Sequence, residues 1–316
     1  MRKILILWFF TFCNLTSAQI IDFPDANFKN ALVNTICTDT DGNGSFDSDA
    51  DLNDDGEIDI EEALKIISLD LSNKQISSLE GIGNFKNLER LYCLQNEIIT
   101  LNLQELSNLT FLSCGTNQLS ILNIQELDNL EYVYCNNNLL TTINVKGLVN
   151  LKTLDCNTNQ LINLDVQELA NLKTLRCYKN HLTALYLKEA KLNHTLLFQE
   201  NPELSYICCD EDRITEIKNM AIANGQNCEV DSECSVTNTQ DLYTNINTYP
   251  NPVSDILYLD TNDHWSKAEI FDIAGRVMRS VNLHSSSMDV SGLENGTYFI
   301  RLKDGEKVGL VKFVKI

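Results

Sequence analysis

Hydrophobic residues recur through the middle of the chain with a period of 21. Four consecutive units start at Leu88, Leu109, Leu130 and Leu151, and a fifth starts at Leu172 before the pattern breaks. Each opens on an apolar residue, followed by Leu or Val three positions later, Cys at five, Asn at eight and an apolar residue at ten. Leu88, Leu91, Cys93, Asn96 and Ile98 thus return as Leu151, Leu154, Cys156, Asn159 and Leu161. A 22-residue precursor runs from Ile66 through Leu69, Leu71, Ile76 and Leu79. Periods of this length mark a solenoid, in which each unit buries its apolar face only against its neighbours.

The positions within a unit have separate physical roles. Leu91 and Cys93 alternate along a short strand and point inward, while Arg90, Tyr92 and Leu94 point outward. Asn96, Asn117, Asn138, Asn159 and Asn180 close the strands, where their amides can bond backbone groups left unpaired by the turn. The repeat cysteines Cys93, Cys114, Cys135, Cys156 and Cys177 form a row with one member per coil. A metal needs converging ligands, so these thiols read as small core hydrophobes. Apolar residues of the second half, such as Leu101, Leu103 and Leu106, pack an opposite wall of extended strand or tight helical turn. This pattern over residues 64–207 resembles the leucine-rich-repeat family, with Cys in place of the usual third Leu. The resemblance implies about six coils, mainly β, and a strand face used for binding.

Packing does not dictate the outward strand positions. One row reads Arg90, Phe111, Tyr132, Thr153 and Thr174, the next Tyr92, Ser113, Tyr134, Asp155 and Arg176. The third reads Leu94, Gly115, Asn136, Asn157 and Tyr178. Aromatic residues gather on the early coils, so Arg90, Tyr92, Phe111, Tyr132, Tyr134 and Tyr178 are the candidate residues for a protein or glycan ligand.

Residues 19–63 read as an N-terminal cap. Residues 24–36 predict a short amphipathic helix capped by Asp25, with Phe28, Leu32, Val33 and Ile36 on one face. Asp51, Asn53, Asp55, Glu57, Asp59 and Glu62, with Gly56 at the turn and Ile58 as a core anchor, fit an EF-hand calcium loop. Glu57 would contribute its carbonyl and Glu62 a bidentate carboxylate. Asp39, Asp41, Asn43 and Asp47 repeat the opening of the motif, but Ala50 stands where the closing Glu belongs. From Thr38 to Glu62 there are eleven acidic residues and no basic one, a charge density that a structural Ca²⁺ would neutralise.

Beyond the repeats, residues 208–234 hold Cys208, Cys209, Cys228 and Cys234 and read as a disulfide-closed C-terminal cap. Cys208 or Cys209 would pair with Cys228 or Cys234. Residues 235–248 form a polar linker. Short alternating segments at Ile256–Leu259, Ala268–Phe271, Arg276–Met278, Thr297–Leu302 and Val308–Val314 then predict a small Ig-like β-sandwich over residues 249–316. Its Tyr249-Pro250-Asn251-Pro252 start, the Gly275-Arg276 turn, Val290-Ser291-Gly292-Leu293, Gly296-Thr297-Tyr298 and the ending through Lys312 resemble the type IX secretion sorting domain of Bacteroidota. That resemblance implies passage through the outer membrane, with release or attachment to the cell surface, and contact with the secretion machinery.

The chain begins with Arg2-Lys3, an apolar run from Ile4 to Phe12, and Thr16-Ser17-Ala18. This reads as a signal peptide over residues 1–18, too short to span a bilayer. Lys and Arg number 24 against 44 Asp and Glu, a net charge of −20. Such a surface repels nucleic-acid phosphates and anionic lipid. The four histidines, His181, His194, His264 and His284, share no metal or triad spacing, and no nucleophile motif or phosphate loop is present. The expectation is a non-enzymatic, secreted or surface-attached binding protein. The alternative is a structural calcium-binding surface component without a macromolecular ligand.

Overall fold

The computed structural model describes residues 19–39, 42–234, 247–260, 265–272, 277–283, 287–304 and 307–315. The signal segment 1–18, Asp41, Gly275 and most of the linker lie outside the described residues. The chain divides into two compact units at Cys234/Ser235.

The first unit is a succession of short strands and turns with few helices. Seven parallel three-residue strands build one face: Ser68–Asp70, Arg90–Tyr92, Phe111–Ser113, Tyr132–Tyr134, Thr153–Asp155, Thr174–Arg176 and Thr195–Leu197. They pair without slippage, Leu91 opposite Leu112 and Leu112 opposite Val133. Their central residues are buried and, except at Ser68 and Asp155, flanked by half-exposed ones, the alternation that the pleat imposes. The second wall is made of shorter ladders, Thr100–Asn102 with Ile121–Asn123, then Asn163–Asp165, Ala184–Tyr186, Tyr206–Cys208 and Glu229–Asp231. Between the two walls runs one continuous core from Ile21 to Val230.

The repeat does not stop at Leu172. A further coil follows, with Leu196 in the strand, Phe198 in the slot held by Cys elsewhere, and Asn201 at the turn. Phe198 is fully buried, so the larger ring fills the core of the last coil. Its change of residue type, together with Asn193 in place of the opening Leu, hides the coil from a strict periodic reading.

The inward cysteines are all free and buried. Burial pushes the Cys93 thiol up to about 12 and raises the others in the row, with neighbouring thiols adding to the effect. They are therefore un-ionised packing groups at neutral pH.

Two ladders of asparagine side chains tie the coils together. Asn138 is typical of the buried ladder. Its Oδ1 accepts the Leu119 N–H at 2.9 Å, and its Nδ2 donates to the carbonyls of Cys135 at 3.0 Å and Cys114 at 3.1 Å. Asn96, Asn117, Asn159, Asn180 and Asn201 repeat this arrangement. The second ladder is exposed: Asn87, Asn108, Asn129, Asn150 and Asn171 each donate to a carbonyl 22 or 23 residues earlier, at 2.7–3.0 Å.

At the N-terminal end, Asp25 caps the helix Ala26–Asn34 by accepting from Asn27 and Phe28. Phe28, Ala31 and Leu32 face the core, but Ile36 is 66% exposed, because the helix ends at Asn34 and Thr35 turns the chain outward. Thr38–Asp39 then pairs antiparallel with Ser68–Asp70 and covers the first edge of the sheet. At the other end, the helix Ile214–Ala223 buries Ile217 and Ala221 over the last coil.

The second unit has two antiparallel sheets around its own core. Asn247–Tyr249, Ile256–Asp260 and Ser287–Asp289 form one sheet. Val277–Asn282, Lys267–Asp272, Gly296–Asp304 and Lys307–Lys315 form the other. Leu257, Ala268, Ile270, Ile300, Leu302 and Phe313 are buried within it. The strand at residues 287–289 is too short to register in the alternation pattern.

Candidate functional site: the aromatic strand face and the acidic cap

The strand face brings four of the six candidate residues together. Tyr92 and Phe111 have ring centroids 4.8 Å apart, and Phe111 lies 6.1 Å from Tyr132 and 5.6 Å from Tyr134. All four are half-buried, because the 21-residue period stacks outward positions directly above one another. Their rings therefore form one apolar strip rather than isolated side chains.

Phe46 extends the strip and is absent from the sequence candidates. It comes from the cap loop, and its ring meets Tyr92 edge-on at 5.8 Å. The loop is held there by backbone pairing of Thr38 with Ser48 and by the Asp47 N–H donated to Thr38. No sequence period reports such a contact, since the loop folds back from outside the repeat.

Two candidates differ from expectation. Arg90 is not a free contact residue: its guanidinium pairs with Asp39 at 3.4 Å, and Asp39 is 1% exposed. The antiparallel cap strand places that carboxylate beside the first sheet strands. Tyr178 stands apart from the strip, with no ring contact to it among the described residues, because it lies four coils from Leu94 in the third row. Further along the face, Asp155 is paired with Arg176 at 3.4 Å and hydrogen-bonded to Asn157. Lys152 is paired with Glu131 at 2.6 Å and sits 5.9 Å from the centre of the Tyr132 ring.

The loop of residues 51–62 is wound tightly. The Asp51 carboxylate accepts the N–H groups of Asp55 and Gly56 at 3.1 and 2.7 Å. Asn53 Oδ1 accepts from Asp55, and Asp55 Oδ1 from Glu57. Glu62 returns to the start of the loop, accepting from Asn53 at 3.1 Å and Asp59 at 3.0 Å. Gly56 has φ of +85°, which favours glycine at the turn. Asp51 and Glu62 are only 4% and 3% exposed, and burial raises the Glu62 pKa. Burial and the charges of Asp51 and Asp54 likewise raise that of Asp49.

These donors are all hard oxygens, the type calcium takes. In this conformation backbone amides engage the carboxylates, and no group of three or more His, Cys, Asp or Glu is placed to hold a metal ion among the described residues. In the earlier half-motif, Asp39 accepts from Gly42 and Gly44 at 2.8 Å each and Asn43 from Ser45. Arg90 already supplies a positive charge there. Asp47 is exposed.

Of the cap cysteines, Cys208 and Cys234 form a disulfide with Cα atoms 5.2 Å apart. Cys209 is buried and free, and Cys228 is half-buried and free. Of the histidines, His181 and His194 are exposed on the solenoid, and His264 and His284 lie outside the described residues.

In the second unit, Asn251 docks the Pro250–Pro252 segment onto the final strand. Its Oδ1 accepts the Val314 N–H at 2.8 Å, and its Nδ2 donates to the Lys312 carbonyl at 3.3 Å. Gly296 opens the strand whose Tyr298 hydroxyl donates to the Glu294 carbonyl at 2.9 Å. Pro250, Pro252 and Lys312 are exposed.

The stacked coils form a solenoid of leucine-rich-repeat-like architecture. Residues 247–316 match the family described as "Secretion system C-terminal sorting domain", so the chain is a protein secreted or attached to the outer-membrane surface through type IX secretion. No helix among the described residues is long and apolar enough to cross a membrane. No protein of curated function matches the chain. Among solved structures it is similar to an internalin (inlF) of Listeria monocytogenes, 21% identical over 69% of this chain and 66% of that one, TM-score 0.44. The chain thus spans slightly under two thirds of that protein. It is also similar to the functional domain of InlJ from Listeria monocytogenes, described as including a cysteine ladder, 16% identical over 95% and 99% of the chains, TM-score 0.33. A third is internalin C2 of Listeria monocytogenes, 22% identical over 59% and 84%, TM-score 0.35.

Proposed function

We propose that this protein is a non-catalytic surface recognition module or adhesin that captures a protein or glycan partner on the strand face of its early coils. The contiguous ring strip Tyr92–Phe111–Tyr132–Tyr134 carries this reading. Half-buried aromatic side chains on a rigid sheet supply contact area at little entropic cost, and such residues dominate binding energies at interfaces. The sorting tail agrees with such a role, since it delivers the face to the cell exterior.

The acidic cap has its own part in this reading: a calcium ion held by Asp51, Asn53, Asp55, the Glu57 carbonyl, Asp59 and Glu62 would rigidify the end of the solenoid. The nearly buried carboxylates of Asp51 and Glu62, at the two ends of one tightly wound loop, support it. When bound, the ion would supply positive charge to a segment that has almost none of its own. A role limited to this structural cation is the competing account. Replacing Tyr132 and Tyr134 together by Ala separates the two. Loss of surface attachment with an unchanged melting temperature supports recognition, and unchanged attachment refutes it.

A further inference from the structure

The charges around the aromatic strip are unevenly balanced. The two cations beside the rings are each already matched by a carboxylate, Arg90 by Asp39 and Lys152 by Glu131, and further along the face Arg176 is matched by Asp155. Two carboxylates next to the rings are not matched in return. Asp47 follows Phe46 and is exposed, and Asp70 is half-exposed and in register with Tyr92. Neither has an ion-pair partner among the described residues. Phe46 and Asp47 belong to the segment 38–62, which has eleven acidic residues and no basic one. Its only ion pairs to basic side chains are Glu57 with Lys29 and Asp39 with Arg90, among the described residues.

From this geometry we infer that the face extends onto the cap through Phe46 and receives a cationic polypeptide segment, one that presents Arg or Lys among apolar residues. The apolar side chains lie along the rings of Phe46, Tyr92, Phe111 and Tyr134. The cationic heads reach Asp47 and Asp70 and stack on ring faces, where a desolvated guanidinium is favourably placed. An anionic partner would meet like charge at both carboxylates. The inference rests on the reading of this face as the binding surface and specifies its partner and its extent.

The test is fluorescence anisotropy with the full chain and three labelled peptides of alternating Leu and Arg, Leu and Gln, or Leu and Glu. The Arg peptide is expected to bind at least about tenfold more tightly than the Gln peptide, which corresponds to about 1.4 kcal/mol. Its affinity should fall as salt rises from about 50 to about 500 mM, because the Debye length shortens several-fold. Phe46→Ser and Phe111→Ser should each weaken it about tenfold or more. The double change Asp47→Asn with Asp70→Asn should flatten the salt dependence while leaving the melting temperature unchanged.

Equal binding of the Arg peptide to wild type and to Phe46→Ser and Phe111→Ser would overturn the inference, since the attraction would then be that of any acidic surface. Tighter binding of the Gln or Glu peptide, abolished by Phe111→Ser, would also overturn it, while leaving the face as a binding surface. No peptide responding to Phe111→Ser defeats the inference as well. The broader reading fails separately, when the Tyr132 and Tyr134 variant retains surface attachment. Melting curves of each variant establish that it is folded, and Phe46, in a loop outside the coils, is the replacement least coupled to the core.

Discussion

Removing the Asn138 amide tests how the coils are held together, and its cost follows from counting what is left unpaired. In Asn138→Ala the carbonyls of Cys114, Cys135 and Asn136 keep other donors, namely Asn117, Asn159 and the Thr116 N–H. The group that loses its partner is the buried Leu119 N–H, which Asn138 Oδ1 accepts at 2.9 Å. An orphaned buried donor costs about 1–3 kcal/mol, and the weakened bonds to the carbonyls add about 0.5–1.5 kcal/mol. The expected loss is therefore about 1.5–4.5 kcal/mol. Asn150→Ala in the exposed ladder removes one bond, to the Asp128 carbonyl at 2.9 Å. Water replaces it there, so the loss should be at most about 1 kcal/mol. Urea unfolding of both variants, with hydrogen exchange at Leu119 as the local probe, measures the difference. Equal losses in the two variants would refute the assignment of the buried ladder as the main polar tie between coils.

Much of this architecture was legible because a solenoid repeats its physics. Leu91, Cys93 and Asn96 do the same work as Leu154, Cys156 and Asn159, and five copies identify each role. The exposed ladder, an Asn before each opening Leu from Asn87-Leu88 to Asn171-Leu172, emerged only in the structure, because its bonds reach the preceding coil and no local rule signals them. The last coil was hidden by Phe198, since the core slot accepts any apolar residue of the right volume. Within the site, stacking of Tyr92, Phe111, Tyr132 and Tyr134 followed directly from the period. Phe46 and the Asp39–Arg90 pair did not, because both depend on how a non-repeating loop folds back over the first coils. In the cap, residue types at fixed spacing gave the loop's winding around Asp51, while partner choice among Cys208, Cys209, Cys228 and Cys234 depended on tertiary proximity.

Three further outcomes follow from the packing. Stability should fall above about pH 9: the unfolded thiols ionise near pH 8.5 while burial keeps the native ones protonated, Cys93 up to about 12. The stabilisation of the neutral native thiols is intact below the unfolded pKa and is lost as pH rises toward the folded one. Each thiol contributes a slope of about 1.4 kcal/mol per pH unit, so Cys135→Ala should flatten the denaturation-versus-pH curve by about that amount. Cys208→Ser should lower stability by about 2–4 kcal/mol, as the 26-residue loop loses its crosslink, and should expose the C-terminal cap to proteolysis first. Thr116 has φ of +54°, a left-handed conformation unfavourable for a β-branched residue, so Thr116→Asn should raise the melting temperature, with a gain of up to about 1 kcal/mol.

The most direct test of the binding face places a photoreactive amino acid at Tyr134 and, in a second variant, at Ile121, which is 39% exposed on the opposite wall. Each variant is irradiated with cells or surface material to which the wild-type protein attaches, and crosslinked partners are resolved by mass spectrometry. One discrete adduct is expected from position 134 and none from position 121. A partner captured from position 121 while position 134 stays unreacted would contradict this placement of the binding face.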